Sequence, residues 1–125
     1  MNILLIDGNT ATYRALQQLL SEEEYSISRV RNAKTALEHA NDNVPDLVVL
    51  ELALPSHSGM EFLYELRTYR DWMHVPVILF SRILVPQEVQ NSRTWKKLGI
   101  VTTLYKPEAS LAMLVDAIEK SRNLK

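Results

Sequence analysis

The sequence predicts an α/β fold, a doubly wound five-stranded parallel sheet with helices on both faces. Strand and helix signals alternate along the whole chain, and strands joined by helices lie parallel under two helical layers. Four apolar runs, 3–6, 47–50, 75–80 and 100–105, have the length of buried strands. Each run stops on a polar residue: Asp7, Glu51, Ser81 and Lys106. In an open parallel sheet the carboxyl ends of the strands line one crevice, which is where ligands bind. The chain thus marks its own site.

The elements follow in order. The first strand is 2–6, and a helix over about 10–20 places Leu16, Leu19 and Leu20 on one face, with Asn9 or Thr10 as its cap. Residues 25–30 are more polar than the other strands and suit an edge position. A short helix over 33–41 repeats Ala33, Ala36, Leu37 and Ala40 at helical spacing. The third strand is 46–51. After Pro55, Ser58-Gly59-Met60-Glu61 reads as a capping box that starts a helix to about 69, with Phe62, Leu63 and Leu66 inward. The fourth strand covers 75–80. Pro86 suits the first turn of a helix that ends near Leu98, with Gly99 as its stop. A fifth strand, 100–105, leads to Lys106, and a last helix over about 108–121 buries Leu111, Leu114, Val115 and Ile118.

Composition narrows the function classes. A length of 125 residues suits one domain, 1–125, and 46% hydrophobic content supplies a core. Fourteen basic against fifteen acidic residues leave a net charge of −1, so no global field draws nucleic acid or an anionic membrane. Zero cysteines exclude disulfides and thiolate chemistry and fit a reducing cytoplasm. The opening MNILLID has neither a basic segment nor a cleavage motif, and no apolar stretch nears a membrane span.

The pieces LLIDGN at 4–9, PDLVVLELALPSHSG at 45–59, VPVILFS at 75–81 and LYKP at 104–107 carry a resemblance. The chain resembles a receiver domain of the two-component response-regulator family over essentially its whole length. The resemblance implies a flavodoxin-like sheet of order 2-1-3-4-5. Residue by residue, Asp7 matches one of the family's paired metal-binding acids, Glu51 the phosphate-accepting aspartate, Ser81 the switch hydroxyl and Lys106 the invariant lysine. Pro107 matches the proline that follows a cis bond. Three positions depart from the pattern. Gly8 stands where the second acid would be, the acceptor is a glutamate, and Thr103 replaces the usual aromatic. The chain thus looks like an atypical, or pseudo-, receiver.

In the family, the acceptor carboxylate attacks a phosphoryl group while Mg²⁺, lysine and a backbone amide neutralise the developing charge. Mg²⁺ takes oxygen ligands in tight octahedral geometry, usually with one or two carboxylates. With Gly8, Asp7, Glu51, the carbonyl near Ala53 and Asn9 would hold it weakly at best. The plain outcome is a Lys106 salt bridge without metal. Glu51 is also longer than aspartate by one methylene, about 1.5 Å. A nucleophile misplaced by about 1 Å can lose around a hundredfold in rate. Its single charge only partly imitates the roughly −1.5 to −2 of a phosphate. The expectation is weak or absent phosphorylation, no enzymatic turnover and no required cofactor, against the alternative of a working phosphoacceptor at Glu51. Ser81 either bonds Glu51 or caps a turn. Tyr105 lies on the same strand face as Thr103 and either substitutes for the missing aromatic or packs as an ordinary tyrosine.

Helix 86–98 is the least amphipathic, with Val89, Trp95 and Leu98 sharing it with Arg93, Lys96 and Lys97. In receivers the face formed by this helix, strand 100–105 and the last helix is the usual contact surface. Arg93, Trp95, Lys96 and Lys97 are therefore the expected partner face, for an effector, a kinase, another receiver or a second copy, with Trp95 and arginine as anchors. The competing reading packs Trp95 beneath a solvated helix. Too few charges and no aromatic platform argue against nucleic acid. Ser56-His57-Ser58 lacks the nucleophile elbow of a hydrolase. His39 and His74 have no metal-ligand spacing, and the DGNT loop is a poor flavin cradle. A small-ligand sensor in the same crevice is the remaining reading.

Overall fold

A computed structural model describes residues 1–39, 43–55 and 58–123. Strands β1 (Asn2–Ile6), β2 (Ser26–Val30), β3 (Leu47–Leu50), β4 (Val77–Ser81) and β5 (Ile100–Tyr105) form one parallel sheet of order β2-β1-β3-β4-β5. Between and after them run helices α1 (Thr10–Leu19), α2 (Ala33–His39), α3 (Gly59–Leu66), α4 (Gln87–Gln90), α5 (Arg93–Lys97) and α6 (Leu111–Asn123). No described helix is long and apolar enough to cross a membrane.

Strand alternation splits the core in two. Leu4, Ile6, Val48, Leu50, Val77 and Leu79 face α2, α3 and α5, where Phe62, Leu63, Leu66, Trp72 and Trp95 cover them. Ile3, Leu5, Leu47, Val49, Ile78 and Phe80 face α1 and α6, covered by Leu16, Leu20, Leu114 and Ile118. β2 lies at the sheet edge with a mixed burial pattern, as its polarity predicts. β5 carries a register shift opposite Val77 and Ile78, and Val101 there is 54% exposed.

Several expected faces and boundaries change. On α1 the buried stripe is Thr12, Leu16 and Leu20 at intervals of four, which leaves Leu19 54% exposed. α6 begins at Leu111, because backbone bonds from Glu108 to Tyr105 (2.9 Å) and from Ala109 to Lys106 (3.3 Å) hold 105–109 in turns. Ser110 Oγ accepts from the Met113 amide at 3.2 Å at this start, and Leu111 faces outward rather than into the core. The expected helix 86–98 is two helices. Ser92 stops the first and caps the second, its Oγ accepting from the Trp95 amide at 3.2 Å. Gly99 ends α5's turn at φ +71°, a left-handed position that glycine fills without strain. α3 stops at Leu66, short of 69, and β3 and β4 shift by one or two residues from the expected bounds. Ala40 and the expected end of the helix at 41 lie outside the described residues, as do Ser56 and His57.

Ser58 does cap α3, its Oγ accepting from the Glu61 amide at 3.1 Å. This helix start is pressed against the chain that follows β3. The Gly59 amide donates to the Leu52 carbonyl at 2.8 Å, and a Cβ on Gly59 would fall 2.7 Å from Leu52 Cα and 2.8 Å from the Glu51 carbonyl oxygen. Both obstacles are backbone, so neither can rotate away. Gly59→Ala is expected to cost about 1–3 kcal/mol by overpacking and to shift the 51–52 backbone. Urea unfolding reads the first effect and amide chemical shifts of 51–53 the second.

Candidate functional site

Sheet register brings the strand-end residues together. Ile6 lies opposite Leu50, so the next residues, Asp7 and Glu51, emerge side by side. Ser81 lies opposite Tyr105, which places Lys106 one step beyond it, and the Lys106 amide donates to the Ser81 carbonyl at 2.8 Å. Asp7 and Glu51 are 3% and 2% exposed, and Ser81 is buried beneath them.

Lys106 bridges the two acids. Its Nζ lies 2.7 Å from Asp7 Oδ2 and 3.0 Å from Glu51 Oε1, and 5.3 Å from the centroid of the Phe80 ring. A cation between two buried carboxylates removes the repulsion that would otherwise neutralise one of them. Asp7 is held from the other side as well. Its Oδ1 accepts from the Asn9 amide at 2.9 Å, and its carbonyl accepts from Arg29 Nη1 at 2.8 Å. The α1 cap is Asn9, whose Oδ1 accepts from the Ala11 amide at 2.9 Å.

Glu51 has no acceptor position to spare. Oε2 accepts from the Ser81 hydroxyl and, at 3.1 Å, from the Ala53 amide. Oε1 accepts from Lys106, and the Arg82 amide is shared between both oxygens at 3.1 and 3.2 Å. Four donor groups thus meet the roughly four lone-pair sites of a carboxylate. Ser81 is equally committed, since its Oγ accepts from the amides of Leu52 (3.3 Å) and Ile83 (3.0 Å). Its one proton is left for Glu51, which fixes the glutamate as the acceptor.

Burial pushes the Glu51 carboxyl up, but bonds from Ser81, Ala53, Arg82 and Lys106 outweigh it and hold the group below its usual range. Between the lowered native value and the ordinary unfolded one, the unfolded chain binds the extra proton. Stability from Glu51 is therefore complete above the ordinary carboxylate range and is lost as pH falls through the lowered value. Urea unfolding between neutral pH and pH of about 3 is expected to show this loss, and Glu51→Gln should flatten it.

A cleft of about 800 Å³ opens beside this network, bordered by Gly8, Thr10, Thr12, Leu54, Pro55 and Arg82. A Cβ on Gly8 would meet only ordinary contacts, 3.6 Å from the Arg31 carbonyl oxygen and 3.7 Å from Pro55, so the place of a second acid is open. The donor set does not fit a resident Mg²⁺. Both Glu51 oxygens and both Asp7 oxygens already accept from N–H or O–H groups, and an ammonium stands between them. Among the described residues no group of three or more Asp, Glu, His or Cys could hold a metal. Ala53, expected to offer a carbonyl, also contributes its amide to Glu51.

The other expected site residues lie elsewhere. Thr103 and Tyr105 line a separate groove of about 300 Å³ with Ile83, Leu84 and Met113. No cis peptide occurs among the described residues, so the Lys106–Pro107 bond is trans, with Pro107 exposed inside the 105–109 turns where a trans proline is at home. Arg93, Lys96 and Lys97 are exposed on α5, but Trp95 is 7% exposed and packs into the core beneath it. It cannot anchor a partner there. Arg82 escaped the sequence reading, because it serves Glu51 mainly through its main chain; its exposed guanidinium sits 3.7 Å from Oε1. Its place directly after Ser81, the residue that the resemblance matched to the family's switch hydroxyl, was the available signal.

Residues 3–119 match the family model described as response regulator receiver domain. The chain is 29% identical over 92 residues to the polar-differentiation response regulator DivK of Brucella anthropi, covering 74% of this chain and 75% of that one. It is 31% identical over 109 residues to the two-component response regulator-like APRR1 of Arabidopsis thaliana, covering 86% of this chain but only 17% of that protein. The chemotaxis response regulator CheY4 of Vibrio cholerae has the same fold, with a TM-score of 0.79 at 18% identity over 96% of this chain and 97% of that one.

Proposed function

The chain belongs to the response regulator receiver domain family of two-component signalling, and we propose that it is a pseudo-receiver, working by protein contact without phosphorylation. One observation carries this reading: every acceptor site of Glu51 is filled from within the protein, by Ser81, Ala53, Arg82 and Lys106. A nucleophile must present a free lone pair to phosphorus. Here each lone pair is taken by a donor of the protein itself. The glutamate reaches the switch serine by itself, so Asp7, Glu51, Ser81 and Lys106 hold one conformation without a bound group. The domain turns over no substrate and needs no Mg²⁺. Arg93, Lys96 and Lys97 on α5, with β5 and α6, form the partner face for a kinase, an effector or another receiver.

Incubation with Mg²⁺ and a small phosphodonor, followed by intact-mass measurement, tests the proposal. The expected product is the unmodified chain. An added phosphoryl mass located on Glu51 would establish the rival reading, a working glutamyl phosphoacceptor. The double substitution Gly8→Asp with Glu51→Asp supplies the missing acid and shortens the acceptor. It is expected to raise Mg²⁺ affinity by at least about tenfold over the wild type in calorimetric titration.

A further inference from the structure

The chain between Ser81 and Gly99 is anchored unevenly. α4 contributes no buried residue, and its cap, Pro86, makes no side-chain cap bond. Its side-chain bonds are local, from Gln90 to the Val85 carbonyl (2.9 Å) and from Gln87 to Asn91 (3.2 Å); Val85 itself is buried. Beyond the Asn91–Ser92 break, α5 is tied down. It buries Trp95 and is followed by buried Leu98.

Beneath that end lies Arg67, the C-cap of α3. Its Nε donates to the Leu98 carbonyl at 2.8 Å and its Nη1 to the Trp72 carbonyl at 2.9 Å, while Nη2 is buried with no partner. Among the described residues no carboxylate forms an ion pair with it. Gly99 closes over it, since a Cβ there would fall 2.7 Å from Nη2. Burying a guanidinium with one nitrogen unpaired is costly. What it secures is position, because one rigid fork joins the end of α3, the turn at Trp72 and the end of α5.

The loop before α4 answers to the pocket instead. The Arg82 amide bonds Glu51, and the Ile83 amide bonds Ser81. We propose that Arg67 is a clamp that fixes α5, so that a rearrangement at the Glu51–Ser81 pair moves residues 82–91 alone, hinged at Asn91–Ser92. The partner face is then of two kinds. The cations Arg93, Lys96 and Lys97 keep their positions, whereas the exposed apolar Ile83, Leu84 and Val89 shift with the state of the pocket. This division stands whether or not Glu51 accepts phosphoryl groups.

Hydrogen exchange read by mass spectrometry on the full chain tests it with two variants. Arg67→Lys keeps the charge but gives up the planar fork that spans both carbonyls. Exchange at Trp95, Lys96 and Leu98 is expected to quicken by at least about tenfold, with 82–91 unchanged. Glu51→Gln is expected to alter exchange across 82–91 and to leave 95–98 within about twofold of wild type. Unchanged exchange in α5 of Arg67→Lys would overturn the proposal, as would a Glu51→Gln response that runs through Trp95 to Leu98. Should Arg67→Lys fail to fold, Glu51→Gln alone decides, by whether its response stops at Ser92.

Discussion

Lys106→Met is expected to destabilise the protein by about 3–5 kcal/mol at neutral pH. The ammonium is the only side-chain cation within 3.0 Å of either buried carboxylate among the described residues, at 2.7 Å from Asp7 Oδ2 and 3.0 Å from Glu51 Oε1. Methionine fills much of the lysine's volume and leaves two nearly buried carboxylates side by side with no cation between them. One must then take up a proton or water must enter, and each route is unfavourable. Because protonation relieves the repulsion, the deficit should shrink as pH falls. Combining Lys106→Met with Asp7→Asn should recover part of it, since only one charge then needs a partner. Urea unfolding gives these values directly. A neutral-pH loss below about 1 kcal/mol would mean that solvent, rather than Lys106, compensates the acids.

Trp72→Ala is expected to cost about 3–5 kcal/mol through the cavity left behind. Trp72 is 1% exposed and shares a core cluster with Leu66, Val75, Trp95 and Leu98, although it sits in the turn between α3 and β4. Its carbonyl also accepts from Arg67 Nη1, so loss of the ring loosens the turn that this bond depends on. The pocket lies at the carboxyl ends of the strands, whereas this turn precedes the amino end of β4. The acid-range loss assigned to Glu51 should therefore persist in the variant. Denaturant unfolding at several pH values separates the two effects.

Trp72 also shows what a sequence conceals. The segment YRDWMH is mostly polar and has neither helical nor strand spacing, so periodicity offered no reason to bury its tryptophan. Strands were legible because their apolar runs end abruptly, and the parallel register then carries four end residues to one place. Helix faces were less so. Leu19 and Leu111 share spacing with buried neighbours, but a stripe read from sequence has no fixed width, and tertiary packing sets its edge. The break at Asn91–Ser92 was hidden because serine is tolerated inside a helix as well as at its start. Trp95 allowed two readings, a partner anchor or a side chain packed beneath the helix, because its neighbours Lys96 and Lys97 are charged; the packed one holds. At the site, side chains announced themselves and main-chain donors did not. The amides of Ala53 and Arg82 complete the shell around Glu51, and an amide leaves no mark in the residue type.

The decisive measurement is a crystal structure after soaking in Mg²⁺ and beryllofluoride. The account predicts no ion on Glu51, with Ser81 still donating to the carboxylate and Lys106 still joining it to Asp7. Beryllofluoride seated on a Glu51 oxygen beside Mg²⁺, with Ser81 and Lys106 turned to the fluorines, would contradict it.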